Sequence, residues 1–304
     1  MCGHAVWPGL MTGNARMITK SCICGGMALS NRFVGTGSLM SASCGLADLV
    51  EDGQPISASA GEALDTGAGW VDRWTTAWKV SGGKVVCPVR DLALFPISGC
   101  EPVRRFSWRR GQHHRPGLQF MVSTGQHHGF ESLEEARLLL AVDFMGAAQV
   151  VCQPFRLRFT TVDGPVEHVP DVLAVTRGDA WLIDVRPRGR IGVEDRVKFA
   201  AAAEAALAAG WRYLVASGWR PHVMETLDTL SSQRRPLTDA LGLADRVLAG
   251  VSSGPASFGE LAVSTIAPPI ARAHLLHLLW HRRLSIDLAR PLTDATPVHP
   301  VAGR

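Results

Sequence analysis

Between Glu131 and Ala216 the apolar pattern changes period repeatedly, and the order of those changes constrains the fold more than any other feature of the chain. Ser132 stands where an N-cap hydroxyl is wanted, and Leu133, Ala136, Leu139, Leu140 and Phe144 follow at helical spacing. Ala148 to Phe159 reads as strand, with Val150, Cys152 and Phe155 apolar and Pro154 at a bend. Val162-Asp163-Gly164-Pro165 is a turn, Val166 to Val175 a second strand region, Arg177-Gly178 a further turn, and Ala180 to Arg186 a third strand. Val193 to Ala209 is Ala-rich and helical until Gly210 stops it, and Trp211 to Ala216 is a last apolar strand. The expected core is α/β in the order αβββαβ.

The flanks are expected to be separate regions, because 304 residues exceed what one core usually organises. Residues 1–69 read as a flexible or irregular leader, with stretches such as Gly35-Thr36-Gly37-Ser38 and Ser57-Ala58-Ser59-Ala60-Gly61. Residues 70–125 read as a basic N-terminal extension, 126–217 as the αβββαβ core, and 218–304 as a small helical C-terminal domain. In that last region Leu237 to Leu248 reads as one helix, Ser257-Phe258-Gly259-Glu260 opens a second through a capping box, and Pro268-Pro269 starts a third over Ile270 to His281. A short extended piece follows, which is the pattern of a winged helix or of a small helical bundle.

A hydrophobic fraction of 46% excludes a wholly disordered chain. No apolar run approaches the ~18 residues of a membrane span, and no secretion signal is read at the N-terminus, so a cytoplasmic protein is expected. The seven cysteines form one C-x-C, Cys22 and Cys24, and no C-x-x-C, so free thiols are expected rather than a zinc site.

The bases are 27 arginines and four lysines, and their excess over acids lies after residue 100. It peaks in an acid-free segment from Pro102 to Pro116, where Arg104, Arg105, Arg109, Arg110 and Arg115 interleave with Phe106, Trp108, His113 and His114. Arginines with aromatics suit phosphate contact and base stacking, so these five are candidate DNA-binding residues; the alternative is a solvated loop anchored by its rings.

The candidate chemistry comes from the hairpin. With Arg177-Gly178 as its turn, Asp171 falls opposite Asp184, with side chains about 5 Å apart. Two facing carboxylates repel unless a divalent cation lies between them. Arg186, two residues after Asp184, leaves the same face of the strand. Glu135 on the first helix adds a carboxylate, although it also stands where a capping-box glutamate would. Acids to hold a cation, a cation for developing negative charge and room for water are the requirements of phosphodiester hydrolysis.

His168-Val169-Pro170-Asp171 followed by Asp184-Val185-Arg186-Pro187 resembles the PD-(D/E)xK nuclease superfamily. The wider string is similar to the TnsA-like endonuclease subunits of heteromeric bacterial transposases. It comprises Arg105-Phe106-Ser107-Trp108-Arg109, Pro116-Gly117-Leu118, Phe130-Glu131-Ser132-Leu133-Glu134-Glu135, Gln153-Pro154-Phe155, Gly210-Trp211-Arg212-Tyr213, His277-Leu278-Leu279-Trp280-His281 and Asp287 to Leu292. The resemblance runs from about Glu101 to Pro300.

It implies a restriction-endonuclease-like core followed by a winged-helix domain, and a Mg2+-dependent DNA endonuclease, with Mn2+ as substitute, that cuts 5′ strand ends of a mobile element. A DDE-type transposase and an AAA+ regulator would be its partners. Carried over, Glu135 is the helix carboxylate, Asp171 the main metal ligand, Asp184 the second acid, and the Val185 carbonyl a further ligand. The family normally has Lys where this chain has Arg186, and arginine does not give up its proton as lysine does. Lys198, the only lysine after residue 84, is the candidate replacement on the next helix. The competing readings are a restriction or repair nuclease and a catalytically silent DNA-binding scaffold.

Overall fold

The computed structural model describes residues 37–51, 56–104 and 116–301. Three short helices come first: α1 (Leu46–Leu49), α2 (Ala58–Glu62) and α3 (Trp70–Arg73). Then come β1 (Thr75–Val80), β2 (Gly83–Pro88), a 3-10 turn at Val89–Leu94, β3 (Cys100–Glu101), β4 (Gly117–Met121), β5 (Gln126–Phe130) and α4 (Leu133–Phe144). The middle of the chain holds β6 (Gln149–Cys152), β7 (Phe155–Thr161), β8 (Gly164–His168), β9 (Val172–Val175), β10 (Ala180–Val185), α5 (Val193–Ala208) and β11 (Arg212–Ala216). The rest is α6 (Val223–Ser231), α7 (Leu243–Gly250), β12 (Ala256–Ser257), α8 (Phe258–Val263), α9 (Pro268–Trp280), β13 (Leu284–Ser285) and β14 (Pro297–Pro300). The protein is thus mixed α/β, and no described helix is long and apolar enough to cross a membrane.

The central sheet has the order β11-β10-β9-β6, with β10 and β11 parallel and the other pairs antiparallel. Strand alternation divides it between two cores. Val172, Ala174 and Ile183 face the side of α4 and the C-terminal helices. Leu173 and Leu182 face the other side, against Ala201, Ala202, Ala205 and Ala206 of α5 and against Phe155 and Leu157 of β7. All six of those α5 and sheet-face aliphatic side chains are completely buried, and only methyl groups on α5 let the helix approach the sheet so closely.

The second sheet, β2-β1-β7-β8 with β3 on β1, takes in residues expected to form an extension: Thr75 to Trp78 of β1 pair with Arg158 to Phe155 of β7. The strand region 148–159 is therefore two strands in two sheets. The break is at Gln153, whose φ of 48° turns the chain, followed by Pro154, which has no N–H for a ladder. The region 166–175 splits likewise around Pro170, into β8 of one sheet and β9 of the other.

Two other expectations need correction. The leader is neither loose nor separate where it is described. Leu39, Leu46 and Leu49 are buried in the same core as α4 and α9. Ser41 N–H donates to the Ile286 carbonyl and Leu288 N–H to the Leu39 carbonyl, both at 2.8 Å. Arg282 Nη2 donates to the Ala42 and Cys44 carbonyls at 2.8 and 2.7 Å. The residues after 217 likewise have no core of their own, since Leu227, Val247, Leu275 and Leu279 join the cluster that contains Val172 and Ile183. Within that region α6 was not expected, and residues 237–242 are not helical. The capping box at Ser257 forms, with Ser257 Oγ accepting from Glu260 N and Ser257 N donating to the Glu260 carboxylate.

Candidate active site

The hairpin of β9 and β10 has the register the turn predicts, Val175 to Val172 opposite Ala180 to Ile183. At its open end Asp171 departs from the regular ladder. Its N–H donates to the Ile183 carbonyl at 3.1 Å, and the Val185 N–H donates to its Oδ2 at 2.7 Å. Asp171 is thereby bracketed by the two neighbours of Asp184. Both aspartates lie on the face of the sheet that carries Leu173 and Leu182, and both line one cleft of ≈ 990 Å3.

The same cleft is lined by Glu135, Val185, Arg186, Lys198 and Arg104, so every described candidate residue meets there. Arg105, Arg109, Arg110 and Arg115 lie outside the described residues. Arg156, Glu167, His168, Arg190, Asp195 and Phe199 complete the wall.

Glu135 is both cap and cleft residue. Its N–H donates to Ser132 Oγ at 3.2 Å, Ser132 Oγ donates to its Oε1 at 2.9 Å, and Glu131 N–H donates to its Oε2 at 2.8 Å. Desolvation raises its pKa above the ordinary value of 4.5, partly opposed by those hydrogen bonds. Asp171 is raised well above 3.8, first by desolvation and then by the negative charges of Asp184 and Glu135, with the Val185 N–H and Arg104 opposing. Cys152, beneath them, is pushed up to about 12 by burial and by Glu135 and Asp171. Burial first, and the mutual repulsion of the gathered acids second, thus favour the protonated forms here.

Asp184 is held differently. His168 Nε2 lies 2.9 Å from its Oδ1, and Tyr213 Oη donates to its Oδ2 at 2.6 Å. Burial, then the charge of Asp184 and the hydrogen bond to it, keep the Tyr213 phenol protonated, well above its usual 10.0. Arg186 does not reach across the cleft: its Nε donates to the Arg190 carbonyl at 3.2 Å and lies 3.3 Å from Asp195. Lys198 Nζ lies 3.8 Å from Glu194, with about a third of the side chain exposed. Among the described residues, no group of three or more His, Cys, Asp or Glu side chains stands ready around one cation position.

The donors that fit a hard divalent cation are the carboxylates of Asp171, Glu135 and Asp184, of which Glu135 and Asp184 each have both oxygens engaged by protein groups. The described cysteines, Cys44, Cys87, Cys100 and Cys152, are free thiols.

His168, Tyr213 and Gln153 lie within the strings that carry the resemblance but were given no site role by sequence. Tyr213 had a signal, being the only tyrosine of the chain and lying in the last apolar strand of the patterned region. A parallel pairing of Tyr213 with Leu182 puts its ring on the face of Asp184. Gln153 is buried, with no partner for either side-chain polar atom among the described residues, and its N–H donates to the Asp171 carbonyl at 2.7 Å.

A second cavity, of ≈ 590 Å3, lies at the other end of β10 between Trp181, Arg212, Asp143 and Trp280, and none of the described sequence-predicted site residues lines it. A scan against protein-family models and a search of curated proteins find no match to the chain.

Proposed function

We propose that the chain is a Mg2+-dependent DNA endonuclease of the TnsA-like kind, hydrolysing phosphodiesters at the 5′ strand ends of a mobile element. It would act beside a DDE-type transposase and an AAA+ regulator, with the C-terminal helices and the β12-β14-β13 sheet as a winged-helix-like platform. The observation that carries this reading is Asp171. It is a carboxyl fixed between Ile183 and Val185, with its pKa raised first by desolvation and then by the charges of Asp184 and Glu135, and it lines the cleft.

Asp171, Glu135 and Asp184 would hold the ion, which supplies charge neutralisation for the phosphate and a lowered pKa for the attacking water. Arg104, Arg156 and Arg190 on the rim would bind the flanking phosphates. Glu167 restrains one of them, since its carboxylate pairs with Arg156 at 2.7 Å and Arg158 at 2.5 Å. Lys198 would move a proton in the role Arg186 cannot fill.

The test is cleavage of transposon-end DNA with Mg2+ or Mn2+ in a reaction reconstituted with the transposase. Asp171→Ala is expected to abolish it, and full-rate cleavage by that variant would sink the assignment. A second reading, a DNA-binding scaffold without catalysis, is favoured by the engagement of both Asp184 oxygens and by the pairing of Arg186 with Asp195. Salt-dependent DNA binding with no bound ion by calorimetry would select it.

A further inference from the structure

The two donors to Asp184 are unequal. Tyr213 sits on β11, whose backbone is laddered to β10 from Trp181↔Arg212 to Val185↔Ala216, so its ring is carried by the same sheet as Asp184 and its hydroxyl donates to Oδ2 at 2.6 Å. His168 belongs to the other sheet. It is the last residue of β8, at that sheet's edge, and is followed at once by the break at Pro170. Its ring meets Phe199 edge-on at 6.3 Å, and both residues line the cleft. The Asp184 side chain is 2% exposed, so Oδ1 has no alternative donor in bulk water and must be satisfied by His168 or by a ligand.

We propose that His168 is a positioning residue that holds Asp184 Oδ1 in the metal-free protein and cedes that oxygen to the divalent ion, while Tyr213 retains Oδ2. The assignment rests on the nuclease reading, in which Asp184 is a ligand. It accounts for the different holds on the three carboxylates: Asp171 is fixed by a main-chain amide and Glu135 by its own helix cap, whereas Asp184 alone is held by a side chain of the other sheet. It also gives the invariant direction of the change: the imidazole and the ion compete for one oxygen, so removing the imidazole favours the ion.

Calorimetric titration of Mn2+ into the full-length protein tests it. The wild type is expected to bind one ion in an Asp171-dependent way. His168→Phe, which keeps a ring against Phe199 but cannot donate, is expected to bind Mn2+ roughly tenfold more tightly, the effect of deleting one competing hydrogen bond. His168→Gln, whose amide can donate from a similar place, is expected to return towards wild type. Metal-free His168→Phe should melt lower than wild type, and saturating Mg2+ should recover most of the deficit; a histidine needed only for packing would leave it.

Should His168→Phe fail to fold, wild-type protein labelled with 15N-histidine serves instead. The His168 ring resonances should move on adding Mg2+ and stay put in Asp171→Ala. An Asp171-dependent ion whose affinity is unchanged or weakened in His168→Phe, or a ring unmoved by Mg2+, overturns this assignment alone. Absence of any Asp171-dependent ion overturns the nuclease reading and this assignment together.

Discussion

The Val185 backbone N–H donates to Oδ2 of Asp171 at 2.7 Å, where an antiparallel ladder would offer it a carbonyl. A main-chain amide of one strand therefore aims a carboxylate of its neighbour, and it can move only if the sheet moves. Asp171→Asn keeps an acceptor for that amide while removing the charge. It is expected to fold, to bind no Mn2+ by calorimetry, and to lose cleavage as completely as Asp171→Ala.

The raised pKa values of Asp171 and Glu135 make stability pH-dependent without metal. The folded protein binds more protons than the unfolded chain between the ordinary values, 3.8 and 4.5, and the raised ones. Stability in that window falls as pH rises. The metal-free melting temperature should thus drop as pH rises above the ordinary carboxylate values of 3.8 and 4.5, Asp171→Asn should flatten the slope, and millimolar Mg2+ should flatten it in the wild type. Scanning calorimetry across pH decides; a slope identical in Asp171→Asn and wild type would contradict the charge crowding.

Among the described residues Lys198 is the one lysine that lines the cleft. Loss of a group that moves a proton typically costs 10²–10⁴-fold, so Lys198→Ala should slow cleavage by about 10²-fold at saturating DNA. Arginine at 198 should not rescue it, whereas Arg186→Lys should raise the wild-type rate. Single-turnover rates of the three variants separate proton transfer from simple charge, since a charge role would tolerate Lys198→Arg.

The alanines of α5 leave no room against the sheet. Ala201, packed with Leu173 and Leu182 in one buried cluster, should not accept a larger side chain. Ala201→Leu is expected to cost about 1–3 kcal/mol in urea unfolding, with the slope of the transition unchanged.

Arg104, exposed on the rim, faces no acid in an ion pair within 4.0 Å among the described residues. If it contacts phosphate, Arg104→Ala should weaken DNA binding evenly across sequences and lower the log–log salt slope by about one. An unchanged slope would remove it from the interface.

The parts legible in sequence were those decided by neighbours along the chain. The Ser132 cap, the Ser257–Glu260 capping box and the β9–β10 register follow from local spacing and turn residues. Contacts between distant segments were not legible. Nothing local marks Gln153 for a φ of 48°, so β6 and β7 read as one strand. The glycine and serine content of residues 37–69 concealed the few apolar anchors, Leu39, Leu46 and Leu49, which are buried in a cluster built from segments far along the chain, including α4 and α9. His168 lacked a signal because its partner, Asp184, lies in the other sheet.

The pairing of Ser41 with Ile286 and of Leu39 with Leu288 turns an early segment into the fastening of the final third of the molecule. A shortened form starting at Trp70 would strip those carbonyls and amides of their mates and uncover the leucines beneath α4 and α9. Strand-like backbone bonds and shared leucine burial thus tie the two ends of this stretch to one another across the helices behind the cleft.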